Sequence, residues 1–372
     1  MYYESKKEKQ KDKLIVFVLL IVIIALLAIL ILKLDYKEEP TNFSSNYETT
    51  KLSTENVQNV DNNSKTINEV IKSVVGISKL EDNGNSIFLG NSEQKLGLGS
   101  GVILSDNGYI LTNQHVVGNK YSNCYVTLEN GLTYNGSVVW VDSNIDLAIV
   151  KISAENLDYI NMADSDNITL AEEVYAIGNP IGIEFQRTIT KGIISGINRT
   201  IRIDDETSSS YMEDLIQTDA TINEGNSGGP LVNENGELIG INTVKISGVE
   251  GIGFAVPINI VKPILEKFIN TGKFDEAYLG IYGYDKEVIP YLESNLKIDK
   301  GVYIASIQAD GALYNKDVKV GDIITKIDDT NINKMNDLKR YVYSKSPGEK
   351  VVLTINRDGR EYTLEVELRR KV

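Results

Sequence analysis

The stretch EGNSGGPLVN, Glu224 to Asn233, sets a serine among glycines directly before an apolar run. A Gly-rich bend is most often only a turn. A serine hydroxyl becomes a nucleophile when it has a base to take its proton, an orienter for that base, and donors for the oxyanion. The glycines flanking Ser227 let two backbone N–H groups, those of Gly225 and Ser227, turn toward one point. Whether this is a bend or a catalytic loop depends on what the rest of the chain can bring to it.

Only one residue can supply an imidazole, because the 372 residues contain one histidine, His115. It stands in ILTNQHVV, at the end of a predicted strand and the start of a turn. Asp146 opens the apolar run DLAIVKI, and Asp142, four residues earlier, is the competing acid. The chain order His, Asp, Ser is the order found in chymotrypsin-type barrels.

From Gly97 to about Ile260 the chain alternates short β-rich runs with turns. GVILSDNGYILT reads as a hairpin around Asp106-Asn107-Gly108. GSVVWV and DLAIVKI pair across Asp142-Ser143-Asn144, and GELIGINTV follows the Ser227 loop. This spacing predicts an antiparallel barrel or sandwich and lacks the alternating helices of an α/β sheet. Before it, TINEVIKSVVGI carries a capping-box pattern at Thr66 and Glu69, which predicts a helix start. After it, PINIVKPILEKFINTGK predicts a helix ending near Gly272. A second unit, about Ala277 to Arg370, holds four strand patterns, GVYIASI, DIITKID, KVVLTIN and EYTLEVEL. The helix MNDLKRYVYS lies between the second and third, and a turn at Arg357-Asp358-Gly359-Arg360 joins the last pair. The sequence shows no internal repeat.

Residues Leu14 to Leu32 are uninterrupted apolar residues, and as a helix they span about 28 Å, close to a bilayer's hydrocarbon thickness. No small-residue cleavage site follows, so the segment reads as an uncleaved anchor. Five lysines precede it within residues 1–13, and the positive-inside rule then predicts a cytoplasmic N-terminus with the bulk of the chain outside. Residues 33–65 are rich in Asn, Ser, Thr and Glu and read as a solvated linker.

Composition closes off several functions. With one Cys, Cys124, no disulfide forms within the chain, and the thiol reads as a small apolar core residue. No Cys/His cluster suits a metal. The net charge of −14 disfavours nucleic acid as a partner.

Taken together, LTNQHVV, DLAIVKI, QTDATINEGNSGGPLVNENGELIGINT and GIGFAVPIN resemble the HtrA/Deg family of serine proteases. AIGNPIG and TKGIISGINR are similar to the same family, and the likeness runs over residues 66 to 370. YLGI, Tyr278 to Ile281, with VKVGDIITKIDD, resembles a single PDZ domain. The resemblance implies a mostly β chain: a chymotrypsin-like double antiparallel β-barrel protease domain over 66–272, then an α/β PDZ domain over 277–370. It assigns His115 as general base, Asp146 as its orienter and Ser227 as nucleophile. The oxyanion hole falls at Gly225, Asn226 and Ser227. The S1 pocket falls near Ile222, Ile246 and Ile252, which predicts cleavage after small or medium aliphatic residues. Tyr278, Leu279, Gly280 and Ile281 would hold a peptide terminus at the edge of the PDZ sheet.

The resemblance further implies a stress-response quality-control endopeptidase. It would act on unfolded or misfolded extracytoplasmic polypeptides, work without metal or organic cofactor, and assemble as a trimer or higher multiple. Two rival expectations stand beside it: a peptide-holding chaperone or scaffold that does not cut, and a dedicated processing protease for one membrane-linked signal protein. The chain departs from the family at Glu224, where Pro or a basic residue is common, and at Lys316 and Asp317, where small residues are common.

Overall fold

The computed structural model describes residues 62–79, 97–179, 188–204, 209–223, 225–245, 250–292 and 298–371. The anchor expected over 14–32 and nearly all of the expected linker lie outside these residues. Among the described residues no helix is long and apolar enough to cross a membrane.

The chain enters through helix α1 (Asn62–Ile71), which starts four residues before the Thr66 capping signal. Its Ile67 and Val70 face the core. Six strands follow: β1 (Val74–Lys79), β2 (Gly97–Ile103), β3 (Tyr109–Asn113), β4 (Asn123–Thr127), β5 (Thr133–Asp142) and β6 (Leu147–Ile152). The four-residue helix α2 (Gln114–Val117) follows β3 directly. The strands close into a barrel in the order β1-β2-β3-β6-β5-β4. Both predicted pairings form, Val102 opposite Leu111 and Asp142 opposite Leu147. Val, Ile and Leu at alternate positions fill the interior, as β-branched residues on a pleated surface do. Cys124 is part of that interior, and burial pushes its thiol up to about 11.

A second barrel repeats the scheme with β7 (Glu173–Gly178), β8 (Thr188–Asp204), β9 (Ser209–Thr218), β10 (Pro230–Asn233), β11 (Leu238–Lys245) and β12 (Gly253–Pro257). Its closed order, β10-β11-β12-β9-β8-β7, is that of the first barrel read from the other end. The repeat therefore exists in topology and not in sequence. Each barrel has its own apolar interior, and a third cluster between them is joined by helix α3 (Lys262–Thr271). Gly272 ends α3 in the left-handed region at φ 71°.

The C-terminal unit holds a short pair, β13 (Ala277–Tyr278) with β20 (Arg369–Arg370). Its main sheet contains β14 (Ile281–Tyr284), β15 (Val302–Ile307), β16 (Ile323–Ile327), β18 (Lys350–Arg357) and β19 (Arg360–Glu367), with β17 (Thr330–Asn331) beside β16. Helix α4 (Ile289–Leu292) is a single turn, and α5 (Met335–Ser344) packs across the sheet. The β18–β19 turn places Asp358 and Gly359 at φ 48° and 81°, the left-handed pair that a two-residue hairpin requires.

Helix α5 also faces the protease barrels. Its Tyr343 packs edge-on against Trp140 and Phe274. The ammonium of Lys334, just before α5, and the amide of Asn336 reach the buried Asp214 carboxylate at 2.7 and 3.0 Å. Beside it, Glu213 of β9 meets Asp285 of the C-terminal unit. Burial, and then the charge of Asp285, push the Glu213 carboxyl up to about 9 from an ordinary 4.5. The fold thus holds Glu213 protonated where the unfolded chain releases the proton. Between about pH 4.5 and 9 the unfolded state binds fewer protons, so this group's contribution to stability declines as pH rises through that window. Glu213→Gln should therefore raise the thermal midpoint at pH 8 by on the order of 3 °C. The difference from the parent chain should close toward pH 4.5, as read by calorimetry across the range.

Candidate active site

The site lies on the seam between the barrels. His115 is carried by α2 at the end of β3, and Asp146 by the turn joining β5 to β6. Ser227 sits in the loop that enters β10. Asp146 adopts φ 52°, in the left-handed region that aspartate tolerates better than most residues. That turn of backbone aims its carbonyl at the chain before His115, where it accepts from Gln114 N–H (3.1 Å) and from Asn113 Nδ2 (2.9 Å). Its carboxylate then meets His115 twice. Oδ1 accepts the backbone N–H of His115 at 3.0 Å, and Oδ2 lies 2.7 Å from His115 Nδ1. With Nδ1–H engaged this way, the other ring nitrogen, Nε2, is the one left to act as a base.

Asp142, the competing acid in the sequence, is elsewhere. It is 3% exposed and bonded to Lys339 and Tyr343 of the C-terminal unit. Three residues of chain separate two carboxylates with different partners.

Sequence reasoning did not find Thr243. Its hydroxyl donates to Asp146 Oδ2 at 2.8 Å, and its carbonyl receives the Ser227 hydroxyl at 3.4 Å. Thr243 therefore bridges acid and serine across the seam. At 3.4 Å the second contact is weak and leaves the Ser227 hydroxyl free to rotate. Among the described residues no hydrogen bond yet joins Ser227 Oγ to His115. The one sequence signal for Thr243 is a polar residue inside an apolar strand, which β-structure tolerates without any special role.

The serine loop is fastened by Ser100, also missed. Its N–H donates to Ser227 O (2.9 Å) and its hydroxyl to Gly225 O (2.5 Å). That hydroxyl accepts from Asn179 N–H (2.7 Å), and the Ser100 carbonyl accepts the Thr112 hydroxyl (2.6 Å). Gly228, at φ 82°, passes so close that a Cβ would stand 2.2 Å from Ser100 O. Asn226 folds inward: its N–H goes to Asn223 O, its Nδ2 to Thr221 O, and its Oδ1 accepts from Asn223 N–H. Asn226 thus shapes the loop while its own N–H is spent. Among the described residues neither Gly225 N–H nor Ser227 N–H finds an acceptor, which leaves both available to an oxyanion. Glu224 lies outside the described residues.

Of the three residues expected at S1, two lie among the described residues. Ile222 is 2% exposed and belongs to the interior of the second barrel, against Gly253. Ile252 packs on the cluster between the barrels, and Ile246 lies outside the described residues.

A second candidate site lies in the C-terminal unit. Tyr278, Leu279, Gly280 and Ile281 form one bend, with Gly280 at φ 78° where a Cβ would stand 2.1 Å from Gly311. The carbonyls of Leu279 and Gly280 are taken by Leu313 and Gln308. Their N–H groups donate to no described residue. They border a cavity of about 360 Å³ between β14 and α5, and its far wall includes Ile145, Tyr211 and Glu213 of the protease barrels.

Residues 99–241 match the trypsin-like peptidase domain model, and residues 277–368 match the PDZ domain model. The chain is 36% identical over 350 residues to the serine protease Do-like HtrB of Bacillus subtilis, covering 89% of this chain and 76% of that one. It is 37% identical over 287 residues to the periplasmic serine endoprotease DegP of Escherichia coli, covering 75% and 58%. Among solved structures, an HtrA-type protease, AlgW, with a decapeptide matches at 30% identity and a TM-score of 0.58, covering 83% of this chain and 99% of that one.

The Thr243 bridge is open to test. Thr243→Val keeps shape but removes a donor to a carboxylate. Such a bond contributes about 1.5–3 kcal/mol, so kcat/KM on a fluorogenic peptide should fall about 10- to 100-fold with the chain still folded.

Proposed function

The chain belongs to the HtrA/Deg family of serine proteases with one PDZ domain and is a serine endopeptidase; from that premise we propose that His115, Asp146 and Ser227 are its catalytic triad. The observation that carries this reading is the 2.7 Å contact of His115 Nδ1 with Asp146 Oδ2, bridged through Thr243 to the serine.

The chemistry follows from the groups present. The Ser227 hydroxyl swings from Thr243 O toward His115 Nε2 and attacks the scissile carbonyl carbon, and Nε2 takes its proton. The Asp146 carboxylate stabilises the imidazolium, while Gly225 N–H and Ser227 N–H stabilise the oxyanion. The C–N bond then breaks and the imidazolium proton goes to the leaving amine. A water, deprotonated by the same ring, hydrolyses the acyl ester and restores Ser227. Besides the substrate and that water, the cycle calls on protein atoms alone.

The substrates we propose are unfolded or misfolded polypeptides outside the cytoplasm, cut after small or medium aliphatic residues. Residues 14–32 would anchor the chain in the cell membrane, with the N-terminus cytoplasmic and both domains on the far side. Peptide termini or extended segments would enter the PDZ groove at Tyr278–Ile281, where the N–H groups of Leu279 and Gly280 are left to receive them; the similar protease AlgW has been solved with a decapeptide. Assembly as a trimer or higher multiple belongs to the same reading and rests on family likeness.

Ser227→Ala is the direct test. Digestion of an unfolded casein-like chain should cease in the variant, while binding of that chain persists. Undiminished digestion by a pure preparation would remove Ser227 from the mechanism.

A further inference from the structure

Asp142 is buried at the seam between the first barrel and the C-terminal unit, and three donors meet it there. Asn144 N–H donates to Oδ1 at 2.9 Å. The Tyr343 hydroxyl donates to Oδ2 at 2.6 Å, and Lys339 Nζ lies 3.3 Å from the same oxygen. Burial alone would raise this carboxyl. Against it, the Lys339 charge, the Tyr343 hydroxyl, the Lys371 charge and the Asn144 N–H together hold it below the usual carboxylate range. A buried carboxylate with one partner removed is costly, so the arrangement is tightly defined.

Asp142 is also the first residue of the turn that ends at Asp146. Between them Ile145 is 6% exposed and shares an apolar cluster with Trp140 and Tyr343. The turn is therefore clamped at both ends. Its far end is bonded to the His115 segment, and its near end is bonded to helix α5 of another domain.

We propose that Lys339 and Tyr343 are positioning residues for the peptidase, acting through Asp142 to hold the 142–146 turn so that the Asp146 carboxylate meets His115. This rests on the triad reading above. It makes the PDZ helix part of the support of the catalytic acid. The same α5 residues border the peptide groove, where Leu338, Lys339 and Val342 share a cavity with Asp142, Asn144 and Ile145. A peptide lying in that groove would touch the clamp itself.

The test uses the full chain and a short fluorogenic peptide too small to need the PDZ groove. Tyr343→Phe keeps the ring against Trp140 and Phe274 and removes only the hydroxyl; Lys339→Met removes the charge. The double variant should lose about tenfold in kcat with KM within about twofold, the loss expected if a bond worth about 1.4 kcal/mol acts on the transition state. Lys339→Arg should restore most of the loss caused by Lys339→Met. Asp142→Asn should cost a similar factor alone and almost nothing further in the double background, because one clamp cannot be lost twice.

The chain's one tryptophan, Trp140, lies at the docked face and reports whether α5 has stayed in place. Unchanged kcat in a double variant whose Trp140 emission matches the parent would overturn the proposal. So would a fully additive loss with Asp142→Asn. Should the double variant fail to fold, Tyr343→Phe alone decides by the same kcat and KM comparison. Failure of the triad reading would look different: Ser227→Ala would still cleave the peptide.

Discussion

The site depends on one buried hydroxyl from the wrong side of the molecule. Ser100 belongs to the first barrel, yet its N–H and Oγ hold the carbonyls of Ser227 and Gly225 in the second. The serine and both candidate oxyanion donors are thereby registered to the barrel that carries His115 and Asp146. Catalysis by positioned groups tolerates errors of only about an ångström. The apolar cluster between the barrels holds them together without direction, so cross-seam hydrogen bonds set the fine register. The threaded backbone at Gly228 completes this arrangement, since no side chain fits where it passes Ser100.

Much of this was legible in the sequence because local chemistry wrote it there. A single histidine leaves no choice of imidazole, and alternating apolar runs with Asp-Asn-Gly or Asp-Gly turns spell hairpins. The helix at Met335–Ser344 shows its apolar periodicity openly. Thr243 and Ser100 could not be read in the same way. Their partners lie 97 and 125 positions away along the chain, and a lone hydroxyl in a strand has no pattern to announce it. Asp142 and Asp146 looked alike for a related reason: what separates them is a partner from residues 339 and 343. Apolar residues mark core and pocket alike, so sequence could not tell the two apart at Ile222, which is buried in the second barrel. The Thr66 signal marked a helix but not its start: α1 begins at Asn62, and Thr66 and Val70 lie one turn apart beside Gly236 of the second barrel.

The C-terminal unit meets the protease barrels through buried charges beside an aromatic contact of Tyr343 with Trp140 and Phe274. Asp142, Asp214 and Asp285 are all at most 5% exposed, and the first two are neutralised by donors from around α5. Buried ion pairs add little net stability compared with apolar packing, but they punish misalignment severely. Such an interface fixes one docking geometry and releases cleanly when a partner is lost. Glu213, held protonated against Asp285, adds a carboxyl that fits only in its neutral form.

The repeated barrel topology has a further consequence. Each barrel closes its own sheet and fills its own interior, so each keeps its stability when the other shifts. The proposed nucleophile and the proposed base are divided between them, and only seam contacts hold the two halves in step. Activity and foldedness are thus separate quantities in this molecule. A slide of about one ångström along the seam would silence the enzyme while leaving both barrels whole, a dormant form reached by breaking a few hydrogen bonds and repacking the apolar cluster between the barrels.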